Sequence, residues 1–177
     1  IKKLINDFMK YLVTGSSGFI GYHLTKKLAE NKDDTIFALD KKDAKFDEVN
    51  VQKIITDLKN PQKNLPVVDF VVHLAAFNGT KWFYEKPLEV IKDNIIPTIN
   101  LIEFYKNYPI KRFVYAGSPE STVVATEQFG YKIPTDEKCP VGVSNVLNKR
   151  WSYANSKALG EQAVIASNLK FTIIRYN

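Results

Sequence analysis

The chain has 177 residues, of which 45% are hydrophobic and 12% aromatic, and its formal net charge at pH 7 is +6. Its length and composition are those of one globular domain with one core. No apolar run approaches the roughly 20 residues that a transmembrane helix requires, so a membrane-spanning protein is not expected. The charge comes from lysines scattered over several elements, whereas a nucleic-acid-binding protein usually gathers its charge in one patch rich in arginine.

The N-terminal residues and the number of cysteines indicate where the protein is located in the cell and where its domain begins. Residues 1–8 are too short and too charged for a signal peptide, and they precede the only methionine, Met9. The single cysteine, Cys139, has no partner for an internal disulfide, which is typical of a reducing cytoplasm. We therefore expect a cytoplasmic protein with an N-terminal extension at 1–8 and one domain at 9–177.

Apolar, β-branched runs alternate with helical patterns along the chain. The runs lie at 10–14, 35–39, 51–56, 67–74, 111–116 and 171–175, and the helical patterns lie at 18–31, 87–107 and 152–168. This alternation predicts an α/β fold of the Rossmann type, a doubly wound parallel sheet in the order 3-2-1-4-5-6 with helices on both faces. The segment from 77 to 86 is predicted as a loop, and 119–150 as a long irregular stretch.

A glycine-rich turn joins the first strand to the first helix. It reads Thr14-Gly15-Ser16-Ser17-Gly18-Phe19-Ile20-Gly21. Glycines permit a tight turn and a close backbone approach, and the free N–H groups of a helix N-terminus attract phosphate. The spacing G-x-x-G-x-x-G differs from the general dinucleotide fingerprint, so the turn alone also fits an ordinary helix entry.

An acidic residue, Asp40, ends the second strand about 20 residues after the last glycine, where a carboxylate hydrogen-bonds the ribose 2′-hydroxyl of a dinucleotide. A carboxylate there repels a 2′-phosphate, which favours NAD over NADP. Lys41 and Lys42 follow directly and weaken that preference, because a lysine can hold the phosphate. The alternative for Asp40 is a solvated turn residue.

Two further strand ends supply candidate cofactor contacts. Asp57 and Leu58 end the third strand, where they would flank an adenine ring, although Asp57 also suits a turn. The fourth strand leads into His73-Leu74-Ala75-Ala76, whose small residues let a cofactor pass close to the backbone. His73 has no neighbouring His or Cys, so we expect a structural histidine and no metal site.

Tyr153 and Lys157 lie four residues apart at the start of the last helix, hence on one face. A lysine ammonium and a nicotinamide cation both favour the phenolate, and two charges 4 Å apart interact by about 4 kcal/mol at an effective dielectric constant of 20. That is enough to lower a tyrosine pKa from 10 by roughly three units, toward the range where general bases work best. Ser118, at the end of the fifth strand, would hydrogen-bond the same substrate oxygen. A surface helix pair is the alternative.

These motifs in this order resemble the extended short-chain dehydrogenase/reductase family, the NAD-dependent sugar-nucleotide epimerases and dehydratases. The glycine turn is similar to the family's TGxxGxxG motif, residues 73–76 to HxAA, residues 153–157 to YxxSK, and Arg175-Tyr176-Asn177 to the start of RxxNxYGP. The resemblance covers residues 9–177. The chain stops inside the last motif, so the resemblance also implies a fragment that lacks the C-terminal substrate region.

The resemblance implies roles for particular residues. Ser118, Tyr153 and Lys157 would form a catalytic triad, with Asn94 near the nicotinamide. Asn94 also fits simple exposure on a helix surface. Tyr153 would take a proton from a sugar hydroxyl while hydride passes to NAD, and the keto sugar would then be reduced again. The implied partners are a nucleotide-diphosphate sugar and a second copy of the chain, bound through the helices at 87–107 and 152–168.

Glu120 is where the sequence departs from the 4-epimerases. Its Ser-x-Glu placement is similar to the (S/T)xE of the dehydratases, where the acid is a base at C5, and of the UDP-glucuronate decarboxylases. The segment from Asn148 to Trp151 also resembles the decarboxylases, whereas Pro119 replaces the middle acid of the 4,6-dehydratases. Epimerase is the family default, and an exposed loop carboxylate is the structural alternative for Glu120.

A second functional hypothesis belongs to another class of protein: a non-catalytic NAD-binding regulatory protein with the same fold.

Overall fold

The computed structural model describes residues 8–176, which form a six-stranded parallel sheet in the order β3-β2-β1-β4-β5-β6. The strands are β1 (Lys10–Thr14), β2 (Thr35–Asp40), β3 (Val51–Ile55), β4 (Phe70–His73), β5 (Arg112–Gly117) and β6 (Phe171–Arg175). All neighbouring strands pair in parallel, so the predicted doubly wound sheet is confirmed. The predicted extension at 1–8, apart from Phe8, and Asn177 lie outside the described residues.

Five α-helices accompany the sheet within residues 8–176. They are α1 (Phe19–Leu28), α2 (Thr80–Glu85), α3 (Pro87–Tyr105), α4 (Val123–Phe129) and α5 (Ser152–Ala166), with short 3-10 turns at Pro119–Thr122 and Lys149–Trp151. The prediction of irregular structure was wrong at α2 and α4, because helices of six or seven residues are too short to show a periodic pattern. None of these described helices combines the length and apolar character needed to cross a bilayer.

The core is divided between the two faces of the sheet. Leu12 and Val13 are successive residues of β1, and both are fully buried. Side chains alternate between faces along a strand, so Leu12 joins the larger cluster beneath α3 and α5, while Val13 packs with Ile36 and Ala29 on the side of α1. A strand covered on both faces is what a doubly wound parallel sheet requires.

Helix α3 has apolar residues on two faces. The apolar residues that repeat at three- and four-residue spacing, and that predict one apolar face, are Leu88, Ile91, Ile95, Ile99 and Ile102. Leu88, Ile91 and Ile99 are exposed to solvent, whereas Ile102 is buried. The inward face instead carries Val90 and Leu101, which are fully buried. A three- and four-residue spacing identifies a helix face but not what covers it, so the sequence pattern marked the outer face as readily as the inner one.

His73 fixes the end of β4 to two neighbouring elements. Its Nδ1 lies 2.7 Å from Thr14 Oγ1 in β1, and its Nε2 lies 3.0 Å from Thr98 Oγ1 in α3. The Thr98 hydroxyl donates to the Asn94 carbonyl, so Nε2–H must be the donor to Thr98 and Nδ1 must accept from Thr14. Thr14 Oγ1 in turn accepts from the Ala75 amide at 3.2 Å. This network agrees with the predicted structural histidine.

Burial of His73 makes the fold sensitive to acid. Burial, followed by the nearby charge of Lys157, lowers the pKa of His73 from 6.5 to about 3. The folded protein therefore binds this proton less readily than the unfolded chain does. The stabilisation is complete above pH 6.5 and is lost as the pH falls below that value.

We predict that the free energy of unfolding falls by about 2 kcal/mol between pH 6.5 and pH 5 through His73 alone, since the imidazole charges only in the unfolded chain. Denaturant melts across this range would measure it. His73→Gln should remove the contribution of His73 to the pH dependence of the free energy of unfolding. His23→Gln, on the exposed face of α1, should leave that pH dependence in place. Equal slopes for the wild type and His73→Gln would contradict the assignment.

Candidate active site

A cleft of about 370 Å³ lies at the carboxyl ends of the strands, where the sheet order reverses between β1 and β4. Open α/β sheets bind their ligands at this position. The lining includes these predicted cofactor residues: Gly15, Ser17, Gly18, Asp40, Asp57, Leu58, Leu74, Ala75 and Ala76. Residues from four separate strand ends thus meet in one place, as the parallel topology requires.

The glycine turn makes a backbone-to-backbone contact with the end of β4. Gly15 has φ +72°, and a Cβ at this position would lie 2.7 Å from the Ala75 amide nitrogen. A Cβ on Gly21 would lie 2.2 Å from the Gly15 carbonyl oxygen. Side chains fit at neither position, so both glycines are required for the turn to close.

The first residues of α1 contribute their backbone to the turn. Phe19 and Ile20 have exposed side chains that lie outside the cleft lining, and Gly21 is buried beneath the turn. Helix α1 starts at Phe19, so the N–H groups of its first turn have no intrahelical partner. They form the kind of helix N-terminus that attracts a pyrophosphate.

Asp40 lies at the end of β2 with its carboxylate against the glycine turn. Its Oδ2 accepts from the Ser17 amide at 3.1 Å, and its Oδ1 accepts from the Lys42 amide at 3.0 Å. The carboxylate is therefore held in a fixed orientation at the cleft wall. This ordering disfavours the alternative of a freely solvated turn residue.

Asp57 and Leu58 form the wall beyond β3. Asp57 Oδ1 accepts from the Lys59 amide at 2.9 Å, so the residue makes the expected turn and lines the cleft at the same time. Asn100 in α3 donates to the Leu58 carbonyl at 2.8 Å and so ties this wall to the helix. Asn100 was missed by the sequence reasoning, and its only signal is an asparagine in mid-helix.

Several lining residues were not predicted as cofactor contacts. They are Leu39, Lys41, Lys42, Thr56, Lys59, Phe77, Asp93 and Pro97. They come from the ends of three strands and from α3, and no local motif marks them as a group. Within residues 8–176 no cluster of His, Cys, Asp and Glu is arranged to hold a metal ion.

The candidate catalytic residues converge beyond the end of β5. Lys157 Nζ donates to the Ala116 carbonyl at 2.7 Å and lies 6.0 Å from the centre of the Tyr153 ring. Tyr153 stacks on Phe83 with ring centres 4.9 Å apart. Ser118 starts the 3-10 turn after β5, and its Oγ accepts from the Glu120 amide at 3.3 Å. Tyr153, Lys157 and Ser118 are all buried.

The pKa of Tyr153 differs from the sequence expectation. Burial, followed by the charge of Glu120, raises this pKa above 10, and hydrogen bonding to Ser118 opposes them. Burial also lowers the pKa of Lys157 to about 8, although the Glu161 carboxylate acts the other way. The lowering of the tyrosine pKa expected from a lysine and a nicotinamide cation together stays a prediction for the complex with cofactor. In the protein alone, burial outweighs the hydrogen bond to Ser118, and the Lys157 ammonium is bonded to the Ala116 carbonyl.

Asn94 connects the cleft to the catalytic helix. It is buried, so the alternative of simple exposure on the helix surface was wrong. Its Oδ1 accepts from the Phe77 amide at 2.8 Å, and its Nδ2 donates to Ser156 Oγ at 2.9 Å. Ser156 Oγ donates to the Tyr153 carbonyl at 2.7 Å. Asn94 thereby fixes the distance between the loop after β4 and the helix that carries Tyr153.

Glu120 forms a bidentate ion pair with Arg150, with contacts of 2.8 and 2.9 Å. The guanidinium also lies over the rings of Phe83 and Trp151, at 5.0 and 5.4 Å from their centres. The alternative of an exposed loop carboxylate was wrong, because Glu120 is half-buried and paired. The bidentate partner occupies both oxygens of this carboxylate.

The site has the features of a dinucleotide-binding fold: a glycine turn free of Cβ atoms, a fixed carboxylate after β2, and, beyond β5, a buried Tyr/Lys pair. Residues 11–177 match the NAD dependent epimerase/dehydratase family. The chain belongs to this family, whose cofactor is NAD. The resemblance found in the sequence is thereby confirmed.

The relatives that the chain matches include both epimerases and dehydratases. The chain is 28% identical to a UDP-glucose 4-epimerase of Lactobacillus helveticus, with 95% of this chain and 51% of the relative covered. It is 31% identical to a dTDP-D-glucose 4,6-dehydratase of Dictyostelium discoideum, with 63% and 29% covered. A solved UDP-N-acetylglucosamine 4-epimerase from Methanobrevibacter ruminantium M1 shares the fold, with a TM-score of 0.77, 24% identity, and 96% and 55% coverage. The chain thus spans about half or less of these relatives.

We predict that Gly15→Ala weakens NAD binding by at least about tenfold and destabilises the fold, since the new Cβ meets the Ala75 backbone. Calorimetry and thermal melts would measure both effects. Gly130→Ala is the matched control, because Gly130 also has a positive φ, +61°, but nothing within 4 Å of its Cβ position. If both variants bound NAD equally, the close approach at Gly15 would not control the cleft.

Proposed function

We propose that this chain carries the cofactor and the base of an enzyme that modifies a nucleotide-diphosphate sugar, with Tyr153 as the base. The observation that supports this most directly is the convergence of Ser118, Tyr153 and Lys157 beyond the carboxyl end of β5, the strand next to β4 in the sheet. The named relatives act on nucleotide sugars by their titles, which supports the same substrate class for this chain.

Each of the three residues has a distinct role in this proposal. Tyr153 Oη accepts the proton of a sugar hydroxyl and returns a proton when the keto group is reduced. Lys157 is largely protonated at neutral pH, since its pKa is about 8, and its positive charge favours the phenolate. Ser118 hydrogen-bonds the sugar oxygen. NAD, when bound, supplies the acceptor and then the donor of the hydride.

Burial of Tyr153 raises its pKa, so the phenolate depends on positive charge brought to the site. Lys157 supplies one such charge, and the oxidised nicotinamide ring supplies the other when NAD is bound. This dependence couples the base to the cofactor: Tyr153 becomes a competent base in the complex that is ready to accept hydride.

We predict that Tyr153→Phe lowers turnover of the whole protein by at least about a hundredfold while the affinity for NAD changes little, because only the proton acceptor is lost. Tyr131→Phe is the control, since Tyr131 pairs with Asp136 on an exposed loop. Steady-state rates with accepted nucleotide sugars and calorimetry with NAD give the two readouts. Unchanged turnover in Tyr153→Phe would reject the mechanism.

Epimerisation is the reaction we favour, because Glu120 is engaged by Arg150. An epimerase needs one proton-accepting residue, whereas elimination of water needs a second base at the sugar. Glu120 would have to leave both of its bonds to Arg150 to act as that base. Dehydration or oxidative decarboxylation that uses Glu120 is the second candidate, supported by its position close enough to Tyr153 to raise the pKa of the phenol.

We predict a product with the mass of the substrate when the whole protein is incubated with UDP-, dTDP-, GDP- and CDP-sugars. Mass spectrometry and NMR of the products would separate the reactions. Loss of water or of carbon dioxide would contradict epimerisation, and loss of water would favour Glu120 as a second base.

A non-catalytic NAD-binding regulatory protein is the alternative from another class. Its expected signature is loss of the tyrosine or the lysine, and both are present and buried side by side. The enzyme is therefore favoured.

A cytoplasmic location stays our prediction, in keeping with a single free cysteine, Cys139.

We also propose that the chain forms a homodimer through α3 and α5. Both helices expose large apolar side chains: Leu88, Ile91, Ile96 and Ile99 on α3, and Leu159 and Ile165 on α5. Burial of such side chains stabilises association by about 25 cal/mol per Å² of apolar surface. A face of this kind on neighbouring helices suits a two-fold interface.

We predict a dimer in light scattering and a monomer for Ile99→Lys, since a charge would be buried at the interface. Phe129→Lys on α4 replaces an equally apolar exposed residue away from these helices and should leave the dimer intact. A monomeric wild type at high concentration would overturn the proposal.

A further inference from the structure

An acidic residue of α3, Asp93, holds two lysines that come from different strand ends of the cleft. Lys59 Nζ, after β3, lies 2.9 Å from Asp93 Oδ1, and Lys41 Nζ, after β2, lies 3.6 Å from Asp93 Oδ2. Asp93, Lys41 and Lys59 all line the cleft, together with Asp40. The two ion pairs therefore connect α3 to the segments that follow β2 and β3.

The exposure of these side chains argues against a mainly structural role. The Asp93 side chain is 15% exposed, but those of Lys59 and Lys41 are 38% and 55% exposed. Ion pairs with one such solvated partner contribute little to folding. Their position at the cleft suggests that they act on what binds there.

The charges at this rim bear on the choice between NAD and NADP. Both oxygens of Asp40 already accept backbone N–H groups, so the carboxylate is fixed in place facing the ribose-binding end. A 2′-phosphate at this end would need cations, and Lys41, Lys42 and Lys59 are the lysines in the lining. Asp93 engages two of them, whereas Lys42 makes no ion pair within the described part of the chain.

We propose that Asp93 is a second specificity-determining residue for the cofactor: its ion pairs keep Lys41 and Lys59 from a ribose 2′-phosphate, so that the cleft selects NAD. Asp40 repels the phosphate directly, and Asp93 engages two of the three lining lysines that could compensate for that repulsion. The sequence showed only Lys41 and Lys42 beside Asp40, which weakened the preference for NAD. The ion pairs of Asp93 with Lys41 and Lys59 strengthen the preference for NAD again.

The test is the pair of dissociation constants for NAD and NADP, measured by calorimetry on the purified chain. In Asp93→Asn the affinity for NADP should rise by about fivefold at low salt, since one negative charge near the phosphate is lost, Lys41 is released, and Lys59 keeps only its longer pair with Asp57, at 3.9 Å. The affinity for NAD should change by less than about twofold, because NAD has no phosphate there. High salt should reduce the gain.

Two control variants separate this role from a general charge effect. Asp43→Asn removes an acid that pairs with Lys53 at 2.7 Å and lies outside the cleft lining, so it should leave both constants unchanged. Lys41→Gln with Lys59→Gln in the Asp93→Asn background should abolish the gain for NADP. Replacing the same two lysines in the wild-type chain should lower the affinity for NADP below the wild-type value, which tests the proposal without altering Asp93.

The proposal is overturned if Asp93→Asn binds NADP no better than the wild type, or if the gain survives removal of both lysines. It is also overturned if Asp43→Asn gives the same gain. Because the readout is cofactor binding, it does not depend on the sugar reaction. A wild-type chain that bound neither dinucleotide would overturn this proposal and contradict the cofactor itself, whereas NAD binding with an unresponsive Asp93→Asn would overturn this proposal alone.

Discussion

The close approach of two backbones, at Gly15 and Ala75, is the contact on which the cleft depends. No Cβ fits between them, and the Ala75 amide is held from the other side by Thr14, whose hydroxyl bonds His73. The neutral, buried imidazole links β1 and β4 to Thr98 in α3. The glycine turn and the end of β4 are thus one packed unit, and the open edge beside it is the space that a dinucleotide fills.

Burial determines the electrostatics at the two ends of the site in opposite ways. At the catalytic end, Tyr153 and Lys157 are desolvated, which raises the pKa of the tyrosine and lowers the pKa of the lysine. At the rim, Asp93 and its lysines remain partly solvated and form ion pairs. The buried pair is therefore suited to proton transfer, and the rim charges are suited to selecting the ligand.

The sequence predicted what depends on local pattern: the alternation of strands and helices, the glycine turn, Asp40 at the end of β2, and the Tyr153/Lys157 face of α5. It did not predict features that depend on contacts between distant segments. Three such contacts join residues from separate elements: the hydrogen bond of Asn94 to Ser156 and the ion pairs of Glu120 with Arg150 and of Asp93 with Lys41. The short helices α2 and α4 lack the length for a periodic signal.

The most direct test of the central claim is a single turnover of the whole protein carrying NAD, mixed with a nucleotide hexose deuterated at the carbon that is oxidised. The account predicts that reduced nicotinamide forms and disappears again, observed by its absorbance, and that deuterium is kept in the sugar product. Product that forms without any reduced cofactor, or that exchanges its deuterium with solvent at that carbon, would contradict it.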